Sequence, residues 1–171
     1  DYKVTGVQTC ALPICARLLF EVLDAVCGAI GADRVGLRIS PLNSYNDMRD
    51  SDPVGLSAWL ADALNRYGLA YLHAMRGDFA RQQSGDIMSP IRAAFGGVLI
   101  GNMGYSAEEA DNAIADGKVD AVAFGMPFLA NPDLPERFRT GAALNPPRLE
   151  SLYSPGPEGY TDYPRLATVG V

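Results

Sequence analysis

The sequence predicts an α/β fold, namely half of a (β/α)8 barrel with about four parallel strands and the helices that cover them. Apolar strand-like runs alternate with amphipathic helical runs at intervals of roughly 25 to 35 residues, as βαβ units require. The alternative closure is an open doubly wound sheet, but the turn GNMGYS at 101–106 lacks its GxGxxG spacing. A complete barrel usually needs about 250 residues, whereas this chain has 171.

The first fifteen residues, DYKVTGVQTCALPIC, show neither helical nor strand periodicity. Residues 4–14, VTGVQTCALPI, resemble the in-frame translation of a sequencing-library adapter. We therefore expect residues 1–15 to be a disordered artefact, with the natural protein continuing upstream; a disordered natural tail is the alternative. We expect the regular fold to begin at Ala16.

The first elements follow from periodicity and from helix stop signals. Residues 16–31 predict a helix that ends at Gly31, and residues 34–41, RVGLRISP, predict a strand. Residues 51–68 predict a second helix, with Asp52 as its cap before Pro53. Its buried stripe is expected to comprise Leu56, Trp59, Leu60, Ala63, Leu64 and Tyr67.

The same cycle repeats through the rest of the chain. Strands are predicted at 69–75, 97–102 and 120–125, and helices at 89–97, 105–117 and 131–141. Ser106 and Glu109 form the S-x-x-E pattern of a capping box, and Gly117 ends that helix. Asn131 or Asp133 is the candidate cap of the last helix.

Composition excludes several classes of function. The net charge of −6 opposes non-specific binding to nucleic acid or to anionic membranes. No apolar run is long enough to span a bilayer, and no secretory signal is recognisable. Three cysteines without metal-ligand spacing indicate a reducing compartment, so we expect a cytoplasmic protein without a metal site.

In barrels of this type, the functional groups gather at the carboxyl ends of the strands. Residues 101–104, Gly-Asn-Met-Gly, follow one strand and residues 124–127, Phe-Gly-Met-Pro, follow the next. Both loops can turn bare backbone N–H groups toward an anion, which predicts a phosphate cradle. The alternative is that these glycines only satisfy tight turns.

Arg38 is the candidate ligand-binding cation. Because Val35, Leu37 and Ile39 face the covering helices, strand alternation points Arg38 into the barrel. A guanidinium there needs an anion or a strong acceptor, and a salt bridge across the barrel is the alternative. His73, the one histidine, is interpreted as a hydrogen-bonded core residue.

An ordered set of motifs resembles one family. VGLRISP, LAYLH, GVLIGNMGY, DAVAFGMPFLANPDLPERF, LNPP and EGYTDYP together are similar to the second half of the Old Yellow Enzyme family of FMN-dependent ene-reductases. The resemblance runs from about Ala16 to Leu166. It implies that residues 16–171 form the C-terminal half of a TIM barrel that belongs to an FMN oxidoreductase.

The resemblance also implies a chemistry. FMN would be reduced by NADPH or NADH and would pass a hydride to the activated C=C bond of an enone or similar small electrophile. Arg38 matches the residue at the pyrimidine edge of the flavin. The positions that match the family's phosphate-binding loops are Gly101, Asn102, Gly125 and Met126. Tyr45 and Tyr160 match positions that line its substrate pocket.

Two departures from the family pattern affect the expected activity. Met126 stands where many members have a phosphate-binding arginine, so one charge-assisted contact is lost. The family's His/His or His/Asn pair and its tyrosine proton donor belong to the first half of the barrel, so no catalytic residue is expected here. We expect this chain to be inactive alone and to self-associate through open sheet edges. A sugar-phosphate isomerase or aldolase barrel and a non-catalytic remnant are the rival interpretations.

Overall fold

The computed structural model describes Ile14 and residues 16–167, and the expectation for residues 1–15 otherwise falls outside this range. Within it, one parallel sheet has the order β1-β2-β3-β4. The strands are β1 Gly36–Ile39, β2 Tyr71–Met75, β3 Leu99–Asn102 and β4 Ala121–Ala123. Each strand pairs with the next along the chain, as in a segment of a (β/α)8 barrel, which confirms the predicted class.

The described part of the chain contains six α-helices. They are α1 Arg17–Ile30, α2 Pro53–Leu64, α3 Met88–Ala94, α4 Ala107–Ala115, α5 Met126–Ala130 and α6 Leu134–Thr140. Single turns of 3-10 helix occur at Ala32–Arg34, Tyr45–Asp47 and Leu149–Ser151. The sequence pattern does not predict α5, because five residues with a proline in the first turn show no helical periodicity.

The predicted helix caps are only partly present. Asp52 accepts a hydrogen bond from the Gly55 N–H at 2.9 Å, as the Asp-Pro start of α2 predicts. Ser106 likewise accepts one from the Glu109 N–H at 3.1 Å. The reciprocal half of the capping box is wrong, however, since the Glu109 carboxylate binds Arg76 instead.

The core lies between the helices and one face of the sheet. Leu72 and Leu99 are neighbours in register on that face, and both are fully buried. The predicted stripe of α2 is correct at Leu60 and Leu64, but its other members are only half-buried. Ser57 and Ala61 complete the buried face instead, since small side chains let α3 pack closely against α2.

The other face of the sheet is largely open in the described part of the chain. Arg38, His73, Ile100 and Ala121 form one row across this inner face. The Tyr71 ring lies across Gly36, where an added Cβ would come within 2.1 Å of it. An apolar stripe of α1 is also exposed, comprising Leu18, Val22, Val26 and Ile30. None of the described helices is long and apolar enough to cross a membrane.

The C-terminal tail, residues 142–167, is fastened to the end of the helical layer by two asparagines. Asn131 is fully buried, and its Oδ1 accepts from the Asn145 N–H at 2.7 Å. The Nδ2 of Asn145 donates to the carbonyl oxygens of Ala130 and Pro164, both at 2.8 Å. These bonds give a structural role to the asparagines of two Asn-Pro sequences, at residues 131–132 and 145–146.

A buried ion pair completes this attachment. Arg137 is 4% exposed, and its Nε donates to Asp133 at 2.8 Å. The same guanidinium donates to the carbonyl oxygens of Ala143 and Pro164. The second oxygen of Asp133 accepts from the Leu166 N–H at 2.7 Å. Asp133 thus precedes α6 but holds the tail, rather than capping the helix through its side chain.

Candidate functional site

Arg38 lies on the inner face at the carboxyl end of the sheet, as its place in the strand predicts. Its Nη2 donates to Oδ1 of Asn102 at 3.0 Å and approaches Sδ of Met75 at 3.6 Å. No carboxylate among the described residues pairs with it, and a salt bridge to a carboxylate across the barrel stays the alternative. Nε and Nη1 have no hydrogen-bond partner within residues 16–167, which leaves donors for a ligand.

Asn102 connects three strand ends. It accepts from Arg38 at the end of β1, and its Nδ2 donates to the Ala123 carbonyl oxygen on β4 at 2.8 Å. Because both ends of the amide are engaged, its orientation is determined by its neighbours. Arg38 and Asn102 were predicted as separate binding residues, and the structure brings them into contact.

The loop after β3 presents backbone N–H groups. Gly101 is buried, and a Cβ there would meet the Tyr105 hydroxyl at 2.8 Å, so only glycine fits without displacement. Met103 and Gly104 follow in the left-handed region, with φ of 81° and 73°. The N–H groups of Met103, Gly104 and Tyr105 donate to no residue that the structure describes. This loop therefore fits an anionic ligand such as a phosphate.

The loop after β4 lies beside it and begins α5. No heavy atom lies within 4 Å of a Cβ added at Gly125, so the backbone there is open to a ligand. Met126 is 47% exposed and brings no charge. The preceding Phe124 anchors the loop by packing edge-on against Phe138, with ring centroids 5.1 Å apart. The two loops and Arg38 together fit a ligand with a phosphate and a hydrogen-bonding ring, as FMN has.

The two predicted pocket tyrosines differ in their surroundings. Tyr45 lies in the loop after β1 and is 66% exposed, and its side chain makes no hydrogen bond to a described residue. Tyr160 is half-buried in the tail, where its hydroxyl accepts from the Tyr153 N–H at 2.6 Å. No described hydrogen bond or ring contact joins Tyr45 to Tyr160. The bond from Tyr153 fixes the position of the Tyr160 hydroxyl, which keeps its own O–H donor.

His73 differs from the expected hydrogen-bonded core residue. Its Nε2 is buried without a partner among the described residues. Burial lowers the pKa of His73, and the charge of Arg38 lowers it further. Both effects favour the neutral imidazole, which lies on the inner face beside Arg38 on the adjacent strand.

Sequence reasoning missed Asp78, which joins the loops after β1 and β2. Asp78 is 6% exposed and accepts from the N–H and hydroxyl of Ser44 at 3.0 and 2.8 Å. It also accepts backbone N–H bonds from Ala80, Gln82 and Gln83. Ser44 precedes Tyr45, so this carboxylate positions the loop that carries a predicted pocket residue. Its place just after a strand end was the available signal.

A separate groove of about 1140 Å³ lies on the helical side of these loops, along α3 and α4. Its lining mixes both charges and includes Arg76, Asp86, Glu109 and Lys118. None of the predicted cofactor residues lines it. No group of three or more metal-ligating side chains occurs in the described residues.

Comparison with known proteins identifies the family. The NADH:flavin oxidoreductase / NADH oxidase family model matches residues 15–145. A probable flavin mononucleotide-dependent alkene reductase from Leishmania infantum is 48% identical over 155 residues, which are 86% of this chain and 40% of that protein.

Two solved structures are similar in fold. The old yellow enzyme from Trypanosoma cruzi has a TM-score of 0.89 and 47% identity, and the match covers 92% of this chain and 42% of the enzyme. Morphinone reductase in complex with tetrahydroNAD has a TM-score of 0.83 and 40% identity, and the match covers 97% of this chain and 45% of the reductase. This chain thus spans less than half the length of these relatives. The chain belongs to the NADH:flavin oxidoreductase / NADH oxidase family.

Proposed function

We propose that this chain supplies the C-terminal part of the flavin site of an FMN-dependent alkene reductase. In that protein, hydride would pass from NADPH or NADH through FMN to the activated C=C bond of an enone or similar small electrophile. The observation that carries the proposal is Arg38, a cation that contacts Asn102 next to Gly101 and whose Nε and Nη1 bind no described residue, at the same end of the sheet as the Gly125 loop. The family match supports it.

The residues of this chain have distinct tasks in the proposal. Arg38 would hold the pyrimidine edge of the flavin and stabilise the negative charge that develops there on reduction. Asn102 would orient Arg38 through its amide oxygen. Gly101, Gly125 and the Met126 N–H would leave room for the phosphate and bind it. Tyr45 and Tyr160 would form walls of the substrate pocket.

The chain alone is proposed to be a poor catalyst. The groups that would grip the substrate carbonyl and donate a proton are proposed to come from the rest of the protein, and the inner face of the described sheet is largely open. The edges of β1 and β4 are proposed to pair with a second copy, and a mass that rises with concentration would support this. A cytoplasmic location also stays a proposal, supported by the acidic charge and the cysteine content.

A flavin titration tests the proposal. The purified chain is added to FMN and the quenching of flavin fluorescence is followed, with and without residues 1–15. Saturable quenching by both forms is the expected result. Absence of binding to any flavin would contradict a cofactor role for this chain. The isomerase or aldolase alternative predicts binding of a sugar phosphate without flavin absorbance, and the family match disfavours it.

A further inference from the structure

One arginine contacts three consecutive carbonyl oxygens of the loop between β3 and α4. The backbone N–H of Arg76 donates to the backbone carbonyl oxygen of Asn102 at 3.1 Å. Its side-chain Nε and Nη2 donate to the Met103 and Gly104 oxygens at 2.8 and 2.9 Å. We infer that Arg76 is a positioning residue that shapes this loop for the phosphate of the cofactor, an inference that rests on the function proposed above.

The geometry of the peptide unit gives the reason. C=O and N–H point in opposite directions in a trans peptide. Because the three oxygens point toward Arg76, the N–H groups of Met103, Gly104 and Tyr105 point away from it, and none has a described partner. Successive N–H groups that face one side form an anion-binding concavity.

Arg76 also offsets a conformational cost. Met103 has φ of 81°, a region that side chains with a Cβ rarely adopt. The loop needs an external restraint to hold methionine there, and the two side-chain bonds to the Met103 and Gly104 oxygens provide it. Without Arg76, we expect Met103 to relax to negative φ and to turn its peptide groups away from the phosphate.

The guanidinium is itself held on the carbonyl side of the loop. The Tyr105 ring centroid lies 3.6 Å from its central carbon. Glu109 accepts from Nη1 at 2.6 Å and from Nη2 at 2.9 Å. Since Glu109 neutralises the charge, Arg76 acts through the backbone and does not itself bind the phosphate. This task explains why Glu109 leaves the capping box incomplete.

Arg76→Lys tests the inference, because one ammonium cannot reproduce the fork that reaches two carbonyls and a carboxylate. The chain is titrated with FMN and with riboflavin, which has the same ring system but no phosphate. We expect R76K to raise the Kd for FMN about tenfold, the value of one charge-assisted hydrogen bond, and to leave the riboflavin Kd unchanged. An unchanged ratio of the two constants would overturn the inference.

Two further variants separate shaping from general damage. Arg139→Lys makes the same change in an exposed ion pair on α6 and should leave both constants unchanged. Met103→Gly accepts positive φ without help, so M103G in the R76K background should restore part of the preference for FMN over riboflavin. Failure of M103G to restore any preference would count against loop shaping.

If the unmodified chain binds neither flavin, the proposed function is wrong for this chain. The positioning role of Arg76 can then still be tested by NMR. The Arg76 side chain is 27% exposed and that of Arg139 is 71% exposed. We expect the Nε proton of Arg76 to exchange with water more slowly than that of Arg139, and R76K to shift the amide signals of residues 103–105. Equal exchange rates and unmoved amide signals would refute the positioning role.

Discussion

The amide oxygen of Asn102 accepts a hydrogen bond from Arg38 at 3.0 Å, across a separation of 64 residues in the chain. The same amide donates to the Ala123 carbonyl oxygen, so it cannot rotate without losing both bonds. The cation that would meet the ring of the flavin and the loop that would meet its phosphate are therefore mechanically coupled. A substitution at Asn102 should therefore alter the contacts with both the ring and the phosphate of the cofactor.

Asn102→Asp should weaken FMN binding about tenfold or more, because a carboxylate would neutralise Arg38 and repel the phosphate. It would also lose the donor that binds the Ala123 carbonyl oxygen. Fluorescence titration measures the effect. Asn112→Asp adds the same charge on the exposed face of α4 and serves as the control. Equal affinity of N102D and N112D would contradict the assignment.

His73 should titrate below its ordinary pKa of 6.5, because burial and the charge of Arg38 both oppose protonation. Since the pKa is lower in the folded chain, stability should fall as the pH drops below 6.5, where the unfolded chain gains a proton first. Arg38→Met should raise the His73 pKa but leave it below 6.5, since burial remains.

Proton NMR gives a clean measurement, because the chain contains one histidine. The imidazole signals are followed against pH in the unmodified chain and in R38M. Arg17→Met, which removes an exposed arginine on α1, is the matched control and should leave the titration unchanged. A pKa at or above 6.5 in the unmodified chain would be incompatible with the described surroundings.

Asp78→Asn should destabilise the chain at neutral pH and disorder the loop that carries Tyr45. Burial alone would raise the pKa of Asp78, but the hydrogen bonds from Ser44, Gln83 and Gln82 outweigh burial and hold it well below 3.8. Its stabilising contribution is therefore complete above pH 3.8 and is lost as the pH falls below that value.

Thermal unfolding against pH checks this linkage. The Tm of D78N should lie below that of the unmodified chain at neutral pH, and the gap should narrow in acid. Asp111→Asn, on the exposed face of α4, should leave the Tm unchanged. A gap that stays constant down to strong acid would show that the carboxylate charge has no part in joining the loops.

Arg137→Met and Arg139→Met form a matched pair on α6. Removing the buried Arg137 leaves Asp133 uncompensated and frees two carbonyl oxygens, so we expect a loss of about 3–5 kcal/mol. Removing the exposed Arg139 should cost about 0–1 kcal/mol. Urea unfolding measures both, and similar losses in the two variants would rule out a buried attachment of the tail.

The sequence predicted the positions of functional residues better than their partners. Strand alternation is local, so Val35 and Leu37 toward the core predicted an inward Arg38. Its partner is an amide on another strand, and no local pattern indicates which side chains meet across a sheet. Arg76 and Asp78 follow directly after β2. Functional groups gather at the carboxyl ends of barrel strands, so this position alone could have predicted both residues, as it predicted the glycine loops.

The other wrong predictions concern one short helix and the buried face of one tightly packed helix. The helix α5 spans five residues, which is too short for a periodic signal. The buried face of α2 includes Ser57 and Ala61, because close packing against α3 favours small side chains over the larger ones that hydropathy selects. Both errors arise where tertiary contact overrides local preference.

The tail is bound almost entirely through its own main chain. Asn131, Asp133 and Arg137 bond to backbone atoms of Asn145, Leu166, Ala143 and Pro164, and Asn145 is the one tail residue whose side chain returns a bond to this layer. Side chains between residues 146 and 163 are thus free of this attachment. We therefore expect substitutions of the exposed side chains in that segment to change the surroundings of Tyr160 and to leave the docking bonds in place.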